Sequence, residues 1–158
     1  MLKKLVCSIC LMLCVAMCLT ACVGDPEQNM PKPTRFQVEN PTNIQTPYMQ
    51  IVLSDQWQSM LRCEVLQETE NYSLYFYGRV EGKKEMRLFD LIFGQSDAYL
   101  LGTLLVRGRE VGVYVESYDL NIDETWTEQE RYDILGMQNQ INTILQQLIA
   151  MDHFTMSP

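Results

Sequence analysis

A short acidic segment near residue 120 has the ligand spacing of a calcium-binding loop. The oxygen-bearing residues at the first, third, fifth and twelfth positions are Asp119, Asn121, Asp123 and Glu130. EF-hand loops take their ligands from these positions, but they need glycine at the sixth, where this chain has Glu124. The alternative is a strand-to-helix turn, in which acidic residues favour the helix N-terminus and Glu130 closes a capping box with Thr127.

Cys63 and the only histidine, His153, are the residues that could form a thiol nucleophile and its base. A hydrolase of that class also needs an orienting Asn or Asp, and no motif places such a group beside them. Cys63 alternates with Arg62 and Glu64 in a predicted strand, which is typical of a small buried residue. Glycine-rich phosphate loops, nucleophile elbows and zinc-protease helices are absent from the sequence. We therefore predict no catalytic residue.

Several aromatic residues that share a predicted strand face with one acidic residue indicate a recognition surface. Asp90 interrupts an apolar run between Phe89 and Leu91. The predicted strand pairing places Asp90 on the same face as Tyr75 and Tyr77. Aromatic and arginine side chains contribute much of the binding energy at protein interfaces. The predicted binding surface comprises Trp57, Tyr75, Tyr77 and Asp90, and the alternative is the ordinary outer face of a sheet.

The first 22 residues have the pattern of an export signal. Lys3 and Lys4 precede an apolar run over residues 5–19, which is shorter than the about 20 apolar residues of a transmembrane helix. The run ends in Leu19, Thr20, Ala21 and Cys22. This ending resembles the lipobox of bacterial lipoprotein precursors. The resemblance implies that residues 1–21 are removed, that Cys22 carries diacylglycerol and fatty acyl groups, and that the protein is anchored outside the cytoplasmic membrane.

Removal of residues 1–21 would change both the cysteine content and the charge. That segment holds four of the six cysteines and two of the twelve basic residues, so ten basic residues would face twenty acidic ones. Acylated Cys22 would leave Cys63 without an intramolecular disulfide partner. The resulting charge of −10 disfavours nucleic acid and anionic membrane surfaces as direct partners. The lipid would therefore supply the membrane affinity.

Residues 22–48 contain five prolines among Asn, Gln and Thr, with few large apolar residues. This composition predicts a tether, with a short strand at residues 35–38 as an alternative. We therefore expect a single domain over residues 49–158, with no further cofactor.

From residue 49 onward, apolar and polar residues alternate between turns that contain glycine. This pattern predicts four to six antiparallel strands connected as a meander. Residues 81–84 and 107–110 share a form in which glycine is followed by a basic residue, which favours a type II′ turn. The expected cross-strand pairs are Tyr72 with Phe93, Leu74 with Leu91, Phe76 with Phe89, Val106 with Val111, Leu104 with Val113 and Gly102 with Val115.

The residue pattern in the C-terminal part of the chain predicts an amphipathic helix. Thr127 and Glu130 have capping-box spacing. Apolar residues then recur at intervals of three and four, which places them on one face of the helix. They are Ile134, Met137, Ile141, Ile144, Leu145 and Leu148. The predicted fold class is α+β, an antiparallel meander of four to six strands with a C-terminal helix packed on one face.

Four segments, at residues 75–78, 88–94, 101–104 and 137–142, are similar to small uncharacterised domains in lipoproteins of Firmicutes. The resemblance implies no active-site residue. The expected function is a noncatalytic domain that binds a protein, a peptide or a cell-wall ligand. The alternatives are a small cell-envelope enzyme or enzyme inhibitor, and a calcium-stabilised structural module.

Overall fold

The computed structural model describes residues 32–158, in which a large sheet, a small hairpin and a helical segment pack together. The strands are β1 (Thr34–Gln37), β2 (Asn43–Gln45), β3 (Gln50–Val52), β4 (Leu61–Gln67), β5 (Tyr72–Gly78), β6 (Met86–Gly94), β7 (Tyr99–Val106), β8 (Arg109–Ser117) and β9 (Phe154–Met156). The helices are α1 (Glu128–Gln138) and α2 (Gln140–Ile149), and one turn of 3₁₀-helix spans Asp55–Trp57. The predicted signal peptide, Cys22 and residues 22–31 of the predicted tether lie outside the described residues.

The large sheet is antiparallel and confirms the α+β class. Its order is β1-β4-β5-β6-β8-β7-β9, so it has seven strands where four to six were predicted, and β2 pairs with β3 separately. The predicted meander is wrong at one point, because β8 lies between β6 and β7 and residues 95–98 carry the chain across β8. Alternation alone does not distinguish these orders. β7 and β8 each have one apolar face, so either strand could pair with β6 and keep its apolar side chains on the core side of the sheet.

The pairing of β5 with β6 confirms the predicted register in the body of the hairpin. Tyr72 pairs with Phe93, Leu74 with Leu91 and Phe76 with Phe89. After Phe76 a β-bulge leaves Leu88 without a partner and brings Tyr77 opposite Arg87. The type II′ turn at residues 81–84 is wrong, because the amide of Lys83 donates to the carbonyl of Val80 and makes Gly82, with φ of 73°, the third residue of the turn.

The hairpin of β7 and β8 is displaced by two residues from the predicted register. Leu104 pairs with Val111 rather than Val113, and Val106 pairs with Arg109. Arg107 and Gly108 both have positive φ, 50° and 77°, as the two central residues of a type I′ turn do. A shift of two residues keeps every side chain on its predicted face, because side chains alternate with a period of two.

The folded part of the chain begins before the predicted boundary at residue 49. The strand β1 pairs with β4 over its whole length, and Thr42 and Ile44 are buried. The polar composition of this segment does not prevent burial, because its side chains satisfy one another and the backbone. The Thr46 hydroxyl donates to the Met49 carbonyl at 2.7 Å and accepts from the Met49 amide at 2.9 Å.

One face of the large sheet is covered by the helices, the β2–β3 hairpin and the 3₁₀ turn. Ile134 of α1 lies against Gly78 of β5, and the Tyr48 ring stacks on Phe93 at 4.7 Å between centroids. The Gln147 side chain of α2 bonds both backbone groups of Val52 in β3. These contacts close a core that includes the fully buried residues Cys63, Leu74, Phe76, Phe89, Leu91 and Phe93.

The helical segment confirms the predicted capping box. The Thr127 hydroxyl accepts from the amide of Glu130, and the Glu130 carboxylate accepts from the amide of Thr127. Asn139 divides the predicted single helix into α1 and α2. Ile134, Met137, Ile144 and Leu148 are fully buried, as the spacing predicts. Within residues 32–158, neither helix combines the length and the apolar character that crossing a membrane requires.

Candidate binding surfaces

The face of the large sheet opposite the helices displays arginine, tyrosine and acidic side chains, and we call it the open face. Strand pairing sets Glu64, Tyr75 and Asp90 in one row across β4, β5 and β6. A second row, displaced along the strands, holds Arg62, Tyr77 and Arg87. Three of the four residues of the predicted binding surface, Tyr75, Tyr77 and Asp90, therefore lie on one face.

Asp90 is the buried centre of the open face, with 2% of its surface exposed. Arg87 donates to both carboxylate oxygens, from Nε at 2.8 Å and from Nη2, and the Tyr118 hydroxyl donates at 2.8 Å. The hydrogen bond to Asp90 raises the pKa of Arg87. Burial and the hydrogen bond to Asp90 raise the pKa of Tyr118. Three charge-assisted hydrogen bonds offset the cost of taking this carboxylate out of water.

Arg62 is the centre of a second group on the open face. Its Nε and Nη2 donate to the two carboxylate oxygens of Glu85 at 3.0 and 2.6 Å, and its Nη1 donates to Glu64. Arg79 adds a further bond to Glu85 at 3.1 Å. The hydrogen bond from Arg62 lowers the pKa of Glu85. The fork of Arg62 is thus held between two carboxylates, which fixes its plane.

The guanidinium groups of the open face also lie over the tyrosine rings. The guanidinium carbon of Arg62 is 4.0 Å from the centroid of Tyr77. That of Arg87 is 4.7 Å from the centroids of both Tyr75 and Tyr118. Such cation–π contacts add to the ion pairs and leave the side chains few alternative rotamers. The arginine and tyrosine side chains of the open face are therefore in contact with one another as well as with the carboxylates.

Trp57 does not belong to the open face. It lies under α1 on the helix side of the sheet, with 3% of its surface exposed. It fits there because residue 136 is glycine, since a Cβ at Gly136 would lie 2.6 Å from Cζ2 of the indole. The structure thus separates Trp57 from Tyr75, Tyr77 and Asp90.

Trp57 instead lines a cleft of about 970 Å³, which we call the α1 cleft. The 3₁₀ turn, residues 117–122, α1 and the start of α2 form its walls. Tyr132 and Leu135 of α1 project at its mouth, with 62% and 50% of their surfaces exposed. Within residues 32–158, Nε1 of Trp57 is the one buried side-chain nitrogen or oxygen that has no hydrogen-bond partner.

The carboxylates of the predicted calcium loop have partners of their own. Oδ1 of Asp123 accepts from the amide and the hydroxyl of Thr125 at 2.8 and 2.5 Å, which lowers the pKa of Asp123. Oε2 of Glu130 accepts from the Thr127 amide at 2.7 Å, which lowers the pKa of Glu130. Asp119 and Asn121 are exposed. In the described part of the chain no three His, Cys, Asp or Glu side chains are grouped to hold a metal ion.

Cys63 and His153 lie far apart in the sheet. Cys63 is fully buried in β4, and burial raises the pKa of its thiol. His153 immediately precedes β9, and the strands β5, β6, β8 and β7 separate β4 from β9. Neighbouring strands are about 4.8 Å apart, so no contact between the two side chains is feasible. The thiol has neither the exposure nor the base that a nucleophile needs.

Sequence reasoning missed the role of Tyr118, which bonds Asp90 and also lines the α1 cleft. The signal was present in the strand alternation, because Tyr118 follows Glu116 at the spacing of two that keeps side chains on one face. This spacing identifies Tyr118 as a neighbour of Asp90 only once β8 is known to pair with β6.

Comparisons with protein-family models, with curated proteins and with solved structures found no match to this chain.

Proposed function

We propose that this chain is a membrane-anchored surface lipoprotein whose domain binds a protein or peptide partner outside the cytoplasmic membrane, without catalysing a reaction. The observation that carries the proposal is the open face, where arginines and tyrosines are locked together around Asp90 and Arg62. The signal-like residues 1–21 and Cys22 support the location.

The composition of the open face favours a macromolecular partner. Tyrosine and arginine are enriched among the residues that dominate protein interfaces. The internal ion pairs fix these side chains in advance, so a partner would spend little free energy on ordering them. Arg35 and Arg79 have side chains that are 61% and 65% exposed, and they can form new hydrogen bonds at the edge of the face.

The lipid anchor is tested on Cys22. Mass spectrometry of the membrane-extracted protein should give an N-terminus at residue 22 that carries diacylglycerol and fatty acyl groups, palmitate among them. A Cys22→Ala precursor should lack both the cleavage and the lipid. A Cys22→Ala precursor that still acquired lipid would overturn the anchor.

The open face is tested with a double variant. The full-length protein and Tyr75→Ala with Tyr77→Ala are each cross-linked in the producing cells, and the captured partner is identified by mass spectrometry. The partner is then purified, and its affinity for both proteins is measured by calorimetry. We expect the double variant to bind at least about tenfold more weakly, because both residues are of the type that dominates interfaces.

The matched control is Tyr99→Ala with Tyr132→Ala, which removes two exposed tyrosines from outside the open face. This variant should bind the partner as the unsubstituted protein does. Equal loss of affinity in both double variants, with unchanged melting temperatures, would contradict the assignment of the open face.

A further inference from the structure

The outer surface of α1 exposes two large apolar side chains at the mouth of the α1 cleft. Tyr132 and Leu135 are three residues apart, so they are neighbours on one face of the helix, and 62% and 50% of their surfaces are exposed. Exposed apolar side chains that lie together beside a cleft are typical of an interaction site. The described residues that line the cleft add four further apolar side chains, Trp57, Leu120, Ile122 and Ile141. The cleft therefore offers a partner's apolar side chains a surface to be buried against.

Among residues 32–158, those that line the cleft include one acidic side chain and no basic one. The acidic residue is Asp119, which is exposed. Glu128 is also exposed, and it lies one helical turn before Tyr132 on the same face of α1. In the described part of the chain, neither carboxylate forms an ion pair with a basic side chain. Both negative charges are therefore free to pair with a cation of a partner.

The chain around the cleft is strongly acidic. Residues 116–135 contain seven acidic residues and one basic residue, Arg131. The Arg131 guanidinium is turned towards the backbone before α1, where it donates to the carbonyls of Asp123 and Trp126 at 2.6 and 3.1 Å. On the open face, by contrast, Arg62 and Arg87 lie beside carboxylates. The field at the cleft thus attracts a cationic partner and repels an anionic one.

We propose that the α1 cleft docks a segment of a partner protein in which lysine or arginine residues flank large apolar side chains. The apolar side chains of the segment pack against Tyr132 and Leu135, and its cations pair with Asp119 and Glu128. Burial of apolar surface supplies most of the affinity, whereas the charges set the orientation of the segment and speed its association. The cleft is separate from the open face, so this proposal does not depend on the function proposed above.

The first experiment measures the binding of a synthetic peptide by calorimetry. The capped peptide Lys-Leu-Phe-Lys-Leu-Leu-Lys is titrated into the full-length protein in phosphatidylcholine nanodiscs, and the heat from empty nanodiscs is subtracted. We expect saturable binding of one peptide per protein. Replacing every lysine of the peptide by glutamate, or every apolar residue by serine, should weaken binding by at least about tenfold. Equal affinity for either replacement peptide, or no binding at millimolar peptide, would overturn the proposal.

The second experiment removes the apolar side chains at the mouth of the cleft. Tyr132→Ala with Leu135→Ala should weaken binding of the peptide by at least about tenfold, because both side chains lose their contacts with it. The matched control is Tyr99→Ala with Leu105→Ala, which removes the same two residue types from β7, where 68% and 54% of their surfaces are exposed. The control should bind normally. Equal affinity in the two double variants would overturn the proposal.

The third experiment removes the two carboxylates. Asp119→Asn with Glu128→Gln should weaken binding at low salt by at least about threefold. Glu68→Gln with Glu70→Gln removes the same amount of charge from two exposed residues of the turn between β4 and β5, and should have little effect. Equal losses in the two variants would show that the peptide responds only to the net charge of the protein, and would overturn docking in the cleft.

A photoreactive peptide locates the site without any substitution in the protein. With benzoylphenylalanine in place of its phenylalanine, the peptide should cross-link to residues 117–122 or 132–141, as identified by mass spectrometry of proteolytic fragments. Cross-links confined to other segments would overturn the proposal. Tyr75→Ala with Tyr77→Ala should keep full affinity for the peptide, so failure of the open face and failure of the cleft are separate results. Loss of peptide affinity in that variant would place the peptide on the open face instead.

Discussion

The open face and the α1 cleft are both rich in aromatic side chains, but they differ in whether their buried polar groups have hydrogen-bond partners. On the open face, the buried carboxylate of Asp90 accepts from Arg87 and Tyr118, and Arg62 is held by two carboxylates. In the cleft, Nε1 of Trp57 has no partner within the described residues. The open face has its central charged groups paired within the chain. Within residues 32–158, the polar groups around Trp57 are thus less completely paired than those of the open face.

Tyr118 connects these two regions. Its hydroxyl donates to Asp90 at 2.8 Å, and its carbonyl accepts from Nε2 of Gln138 in α1 at 2.7 Å. The same residue lines the cleft. A variant at Tyr118 is therefore expected to affect both regions.

The largest effect is expected from removing the carboxylate of the open face. Asp90→Ala should lower the free energy of unfolding by about 3 kcal/mol, because a buried ion pair loses one partner. The loss should not be larger, because the Arg87 side chain is 39% exposed and water can solvate its charge. Urea denaturation of the full-length protein measures it. Glu116→Ala removes an exposed carboxylate opposite Asp90 in β8 and should stay within about 0.5 kcal/mol. Similar losses in both variants would contradict the central role of Asp90.

A methyl group in the cleft wall should have the next largest effect. Gly136→Ala places a Cβ 2.6 Å from the rigid indole of Trp57, so we expect a loss of about 2 kcal/mol despite the better helix propensity of alanine. The same glycine substitution should cost less in a Trp57→Phe background, because the smaller ring leaves room for the methyl group. Two losses that simply add would show that the indole does not limit residue 136.

Tyr118→Phe should cost about 1.5 kcal/mol, since it removes one hydrogen bond to a charged acceptor and keeps the ring. In an Asp90→Ala background the same change should cost almost nothing, because the acceptor is already gone. A double-mutant cycle in urea measures the coupling. Equal costs in both backgrounds would show that the hydroxyl acts elsewhere.

The smallest effect is a loss of stability in acid. The pKa of Glu85 is lowered from its ordinary value of 4.5, so its contribution is complete above that value and is lost as the pH falls through the lowered pKa. The Glu85 side chain is 27% exposed at the edge of the sheet, so solvent screens the pair and the contribution should be below about 1 kcal/mol. The difference in urea midpoint between the unsubstituted protein and Glu85→Gln should narrow from pH 6 to pH 3. A constant difference would contradict the pairing with Arg62.

The sequence predicted those features that depend on local alternation and end signals. The capping box of α1 follows from Thr127 and Glu130. The register of β5 with β6 was predicted from the turn at residues 81–84, and it holds beyond Phe76 because the β-bulge offsets the different turn. These signals involve residues close in sequence or directly joined by one turn. They do not depend on which neighbour a strand finally adopts.

The features that were missed depend on long-range choices. The position of β8 between β6 and β7 leaves the alternation of both strands unchanged, so the pattern is compatible with either order. The folded start of the domain depends on bonds such as those of Thr46, in which polar side chains replace an apolar core. The burial of Trp57 depends on Gly136, and a glycine inside a predicted helix is a signal of close packing that could have been used.

If Cys22 carries a lipid, as we propose, the early start of the sheet limits how far the domain can stand from the membrane. β1 begins at Thr34, only 12 residues after Cys22. A fully extended chain spans at most about 3.4 Å per residue, so a lipid on Cys22 would hold β1 within about 40 Å of the bilayer surface. That limit applies to β1, at one edge of the sheet, while β9 at the other edge can lie farther out. A partner attached to the membrane would then meet the open face first at its β1 edge.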